Sequence, residues 1–240
     1  EGVDNFIKIT ENNDTKLTYE SPKFSLSNTT NIPDDEFEKK LIAAGWDDVL
    51  DDYVVTANIS GLTTLGTALA GGSPIKDLTG IEAFVALENL DISQNELTVL
   101  DISKNKNLKV LDVSKNMITE LDVSNNSAIE TLVVTENKIS SLNLVDNNNL
   151  KNITIDNNPI TALDVSANVN LEEINATYIK FSSLDISNNT KLKKLIINGN
   201  NNDISPLASL DLSQNIELTN LGLKSNSLTS LDLTNQSKDK

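Results

Sequence analysis

From residue 87 onward the apolar residues follow a two-part pattern. Its first part reads Leu-x-x-Leu-x-Leu-x-x-Asn-x-Leu: Leu87, Leu90, Ile92, Asn95, Leu97, then Leu108, Leu111, Val113, Asn116, Ile118, with further copies from Ile129, Leu150, Leu171, Leu192 and Leu218. The second part reads Thr/Ser-x-Leu-Asp-Val/Ile-Ser-x-Asn, as at 100–105, 121–126, 163–168 and 184–189. Anchors fall at alternating steps of 10 and 11, giving a 21-residue unit present seven times. Two irregularities interrupt it. The copy from Leu171 has Ala176 at an apolar anchor and Ile179 where Asn is expected, and five surplus residues within 200–206 delay the next anchor to Leu210.

Apolar residues two apart, such as Leu90 and Ile92, point to one side of an extended segment, so each first half predicts a short strand. One unit cannot bury that face alone. Stacked units can, which predicts an α/β repeat solenoid that is mostly β: a right-handed array with a parallel concave sheet and a column of Leu, Ile and Val inside. Asn occurs 34 times. At the end of each strand it is expected to form a buried ladder, its amide bonding backbone groups where the chain turns inward. The second half of the unit is too short and turn-rich for a multi-turn helix, so extended or 3₁₀ turns are expected on the convex side.

This pattern resembles the leucine-rich repeat family over residues 75–233. The 21-residue unit with Leu-Asp-Val-Ser-x-Asn is similar to secreted bacterial members, the internalin-like proteins. That resemblance implies an extracellular or cell-surface protein, with no leader in this chain. Relatives of this kind often carry a column of Cys in the first strand. Here Ile92, Val113 and Val134 stand there, so no such column is expected.

Three segments are expected. Residues 1–30 alternate apolar and polar positions around Asn12, Asn13 and Asp14, and read equally as a hairpin or an extended tail. Residues 31–74 read as an N-terminal cap, with a helix over about 34–44: Pro33 at its start, Asp34, Asp35 and Glu36 in its first turn, and Gly45 after its end. Phe37, Leu41 and Ile42 with Trp46 would cover the open end of the array, and 32–65 resembles the segment that precedes the repeats in secreted bacterial relatives. Residues 75–240 are the repeat array. No C-terminal cap is visible, so either the last strand is tolerated open or the natural chain continues.

Composition narrows the chemistry. The chain has no Cys and no His, which removes thiolate catalysis and the usual general base. A net charge of -16 would repel phosphate backbones and anionic membrane surfaces, and no apolar run is long enough for a span, so nucleic-acid binding and membrane insertion are not expected. No phosphate loop or nucleophile motif occurs, so no enzyme, cofactor or metal is expected. Asp47, Asp48, Asp51 and Asp52 read as a solvated acidic turn because their spacing matches no calcium loop. Asp101, Asp122, Asp164, Asp185, Asp211 and Asp232 recur at one convex position. Their mutual repulsion is expected to raise their pKa values.

The residues beside the inward Leu project from the concave sheet and vary, whereas the core columns barely do. The candidate ligand-binding residues are Val110, Asp112, Thr131, Val133, Asn152, Thr154, Glu173, Asn175, Tyr178, Lys194 and Ile196. Tyr178 is either an interface anchor or a product of repacking around Ala176 and Ile179. The insertion either raises a rim beside Tyr178 and Lys194 or is a harmless bulge; Ile204 and Leu207 are expected to point inward. Together these features imply a monomeric, non-enzymatic module that binds a protein on a host or neighbouring-cell surface. A spacer or stalk and a glycan binder are the alternatives, the latter short of stacking aromatics at 4 % of residues.

Overall fold

The computed structural model describes residues 28–66, 69, 71–200 and 204–236. Most of residues 1–30 lies outside them, and with it the choice between hairpin and tail. The described part begins with β1 (Thr29–Asn31), antiparallel to β2 (Tyr53–Val55) and followed by α1 (Asp35–Ala43); α2 (Thr56–Ile59) follows β2.

The array is one eight-stranded parallel sheet in chain order: β3 (Thr64–Leu65), β4 (Asn89–Asp91), β5 (Val110–Asp112), β6 (Thr131–Val133), β7 (Asn152–Thr154), β8 (Glu173–Asn175), β9 (Lys194–Ile196) and β10 (Asn220–Gly222). The expected leucine-rich repeat solenoid is the observed fold. Register is set by the inward anchors, Leu90 facing Leu111, Leu132, Ile153, Ile174 and Leu195 in turn. A slip by one residue would turn every anchor to solvent. These anchors are fully buried. The return halves run through successive three-residue turns, as where Asn105 N–H donates to Ile102 C=O (3.0 Å) and Leu108 N–H to Asn105 C=O (3.2 Å).

Two amide ladders stitch the units. Asn116 Nδ2 donates to Ile92 C=O (2.9 Å) in the preceding unit and to Val113 C=O (3.0 Å), while its Oδ1 accepts Leu97 N–H (3.0 Å); Asn137 and Asn158 repeat this. A second ladder, Asn105, Asn126, Asn147, Asn168, Asn189 and Asn215, lines the return side. There Asn147 Nδ2 donates to Val123 C=O (3.0 Å) and Asn126 C=O (3.1 Å). These amides satisfy carbonyls that the tight turns leave free.

α1 closes the N-terminal end. Asp34 is its N-cap, Oδ1 accepting Glu36 N–H (2.9 Å) and Phe37 N–H (3.0 Å), and Gly45 at φ 77° ends it in the left-handed conformation. Phe37 is fully buried and stacks on Phe84, just before the first unit, ring centroids 6.2 Å apart. Sequence pattern gave no sign of Glu38, which is also fully buried and accepts the N–H groups of Asp51, Asp52 and Tyr53 (3.0–3.1 Å). It thereby fixes the acidic loop to the helix.

The insertion differs from expectation at one anchor. Leu207 is buried, but Ile204 is 60 % exposed. Ser205 explains this, because it precedes Leu207 by two residues, as Asn95 precedes Leu97, and so takes the ladder position. It is buried, its N–H donates to Ser225 C=O (3.0 Å) and its Oγ to Phe181 C=O (3.3 Å). The residue before it must then face water. Asn201, Asn202 and Asp203, expected in an exposed turn, lie outside the described residues.

Candidate functional site

The candidate face is the outward side of β4–β10, where the ladder sets side chains in columns about 4.8 Å apart. Val110, Thr131, Asn152, Glu173 and Lys194 are register partners in one column, and Asp112, Val133, Thr154, Asn175 and Ile196 in the next. Ten of the eleven expected residues thus share one surface, and Tyr178 stands three residues beyond Asn175. Most are half-buried by their cross-strand neighbours; Val110 and Tyr178 are exposed, at 37 % and 51 %.

The three apolar residues do not merge. Val110 and Val133 are diagonal neighbours across β5 and β6, whereas Thr154 and Asn175 separate Val133 from Ile196. Ile196 instead leans over Gly222, where a Cβ would come within 2.9 Å of its Cδ1. The polar positions bind each other along the columns: Asn152 Nδ2 to Thr131 Oγ1 (3.3 Å), Asn175 Nδ2 to Thr154 Oγ1 (3.4 Å) and Lys194 Nζ to Glu173 Oε2 (3.2 Å). Behind them Asp156 accepts Thr177 N–H (2.6 Å). Burial pushes its carboxyl above the usual range, against the lowering effects of Thr177 and Lys194.

Tyr178 belongs to a feature the sequence did not reveal. Gln94, Lys115, Glu136, Asn157, Tyr178 and Ser225, in six of the seven units, all have φ between 54° and 61°, while the unit from Leu192 has Gly199 at this position and it is not left-handed. The only Gly in the column, Gly199, is not one of its left-handed members, so no residue type signalled the feature. Left-handed φ is tolerable for Asn and strained for a bulky aromatic. Ile179 and Ala176 are both fully buried, while Tyr178 keeps about half of its surface in solvent.

The convex carboxylates overturn one expectation. Asp101, Asp122, Asp164, Asp185, Asp211 and Asp232 each accept the N–H two residues on (2.8–2.9 Å). Bonds from that N–H and the hydroxyl of the same Ser or Thr hold all six below the ordinary carboxylate value. Repulsion between neighbouring units is a smaller effect, because the charges face water. In the acidic loop Asp47 is shifted up, first by burial and then by Glu38, Asp51 and Asp48. Among the described residues no group of carboxylates is arranged to hold a metal ion, and no helix is long and apolar enough to cross a membrane.

Similar solved structures share this architecture. The functional domain of InlJ from Listeria monocytogenes, described as including a cysteine ladder, is 31 % identical with a TM-score of 0.71, over 87 % of this chain and 50 % of its own. Internalin C2 of the same organism is 25 % identical with a TM-score of 0.70, over 88 % of this chain and 95 % of its own. The chain is an internalin-like leucine-rich repeat protein. It spans half the length of the InlJ domain. Unlike InlJ, the internalin-like array seen here has no Cys, and its column running from Ile92 through Val113, Val134 and Ile155 is fully buried. At the level of fold alone it is also similar to the ectodomain of the Arabidopsis thaliana receptor kinase GASSHO1/SCHENGEN3, solved in complex with CASPARIAN STRIP INTEGRITY FACTOR 2 (20 % identity, TM-score 0.58, 71 % of this chain and 22 % of that one). No family model matches the chain, and no curated protein matches its sequence.

Proposed function

We propose that the array is a non-enzymatic binding module at the cell surface or outside the cell, and that its outward sheet face grips a protein ligand. Exposure of Tyr178 at a left-handed position carries this reading. An aromatic held at a strained φ with about half of its surface in solvent is poorly used for packing, and tyrosine is a favoured interface anchor. Variation along the two columns gives a partner shape and polarity to match, while the constant core holds those columns rigid. The internalin neighbours and the plant ectodomain with its bound factor support a protein ligand over a glycan, as does the scarcity of aromatics.

A variant with Val133→Ala, Thr154→Ala, Asn175→Ala and Tyr178→Asn tests the reading. Affinity capture from surface-labelled host or neighbouring cells should recover a ligand with the native chain and lose it with the variant at an unchanged melting temperature. Equal recovery by both chains would remove the sheet face as the contact surface.

A further inference from the structure

The convex side of the first unit holds a depression of about 360 Å³, lined by Asp77, Leu78, Thr79, Ile81, Glu82, Val99, Leu100, Asp101 and Lys104. Its cause is a break in a column. Leu121, Leu142, Leu163, Leu184 and Leu210 stack on one another and are at most 9 % exposed. One unit before Leu100 the stacking position is occupied by Thr79, whose N–H and hydroxyl both bond Asp77 Oδ1 (2.8 and 2.6 Å). Leu100 therefore has no leucine before it in the column and is only partly buried. Comparable hollows further along the convex side measure about 50 Å³.

The lining has two characters. Leu78, Ile81 and Leu100 form an apolar floor, and Val99, 72 % exposed, forms one wall. Around them stand Asp77, Glu82 and Asp101, against the single cation Lys104. These carboxylates are held in place, Asp77 by Thr79, Glu82 by Gly80 N–H (2.8 Å) and Asp101 by Ser103 N–H (2.9 Å). We propose that this depression is a second docking site, on the opposite side from the sheet, for an arginine or lysine side chain presented by a basic protein segment. The aliphatic stem lies along Val99 and Leu100, and the cationic end meets carboxylates already oriented toward water. At about 360 Å³ the site is of the size that small ligand groups occupy. The chain's charge of -16 draws such a segment in.

The probe is N-acetyl-arginine methylamide, titrated into ¹⁵N-labelled protein at low salt, with N-acetyl-norleucine methylamide as the uncharged counterpart. Saturable shifts confined to residues 77–82 and 99–104 are expected, with Kd on the order of millimolar, and norleucine should bind at least about tenfold more weakly. Thr79→Leu completes the leucine column and fills the hollow, so it should abolish the shifts without lowering the melting temperature. Val99→Ser, at an exposed position, serves if that variant does not fold, and should also weaken binding. Shifts spread evenly over the turns at Asp122, Asp164 and Asp185, equal binding of the norleucine compound, or undiminished binding by both variants would each overturn the proposal.

Discussion

Asp34 Oδ2 accepts the backbone N–H of Lys76 at 2.8 Å, across 42 residues, while its other oxygen caps α1. Oδ2 also takes Asp77 N–H at 3.0 Å, so one carboxylate joins the capping helix to the start of the array. Burial raises its pKa, but the four N–H groups outweigh it and the net shift is downward. Asp34→Ala should destabilise by about 1–3 kcal/mol. Thermal unfolding should show the cap melting before the repeats, and hydrogen exchange should place the loss at residues 35–43 and 76–77.

Acid should weaken the array through the six convex aspartates. Their folded pKa values lie below the ordinary 3.8, so the folded state binds fewer protons than the unfolded one near that pH. This contribution is fully present above about pH 4 and is lost as pH falls through the lowered values. Asn143 already makes the same turn bond with an amide, to Val145 N–H (3.2 Å). Changing Asp101, Asp122, Asp164, Asp185 and Asp211 to Asn should keep the fold and flatten the melting temperature against pH between about 2 and 5.

Asn147→Ala should cost about 2–4 kcal/mol, because it strands two buried carbonyls, those of Val123 and Asn126. Denaturant unfolding measures this. Asn125→Ala, at the exposed neighbouring position of the preceding unit, should change stability by less than about 0.5 kcal/mol.

Ile179→Asn restores the repeat consensus yet should destabilise, since Ile179 is fully buried and supplies bulk that Ala176 does not. Ala176→Ile combined with Ile179→Asn should recover much of the loss. Additive effects in that double-mutant cycle would show that the two residues do not compensate each other.

Tyr178→Asn should leave the melting temperature unchanged or raise it, because Asn adopts left-handed φ with less strain. Ligand capture should fall in the same variant. A drop in stability would make Tyr178 a packing residue.

Periodicity made the sheet, its register and the first amide ladder legible, because stacking forces the same residue type into the same position in every unit. It also placed the face columns, since strand alternation leaves no other side for them. What it missed is non-periodic or independent of residue type. Glu38 meets a loop 13–15 residues away only through folding of the cap. The left-handed column follows six of the strands and is occupied by Gln, Lys, Glu, Asn, Tyr and Ser, with no common residue type to reveal it. Ile204 was misassigned because the ladder position lies two residues before the next anchor, and a Ser there carries no Asn signal.

The anchors repeat every 21 residues, but the charge at the position preceding β4–β9 alternates: Glu88, Lys109, Glu130, Lys151, Glu172, Lys193. Each Glu pairs with the Lys of the next unit at 2.7–2.8 Å. Removing residues 109–129 would set Glu88 beside Glu130, like charge against like. Removing 42 residues, 109–150, would set Glu88 beside Lys151. Exposed pairs contribute only about 0.2–1 kcal/mol each, enough to favour gain and loss of units in twos. Designed changes in the length of this part of the array should therefore proceed by tandem pairs.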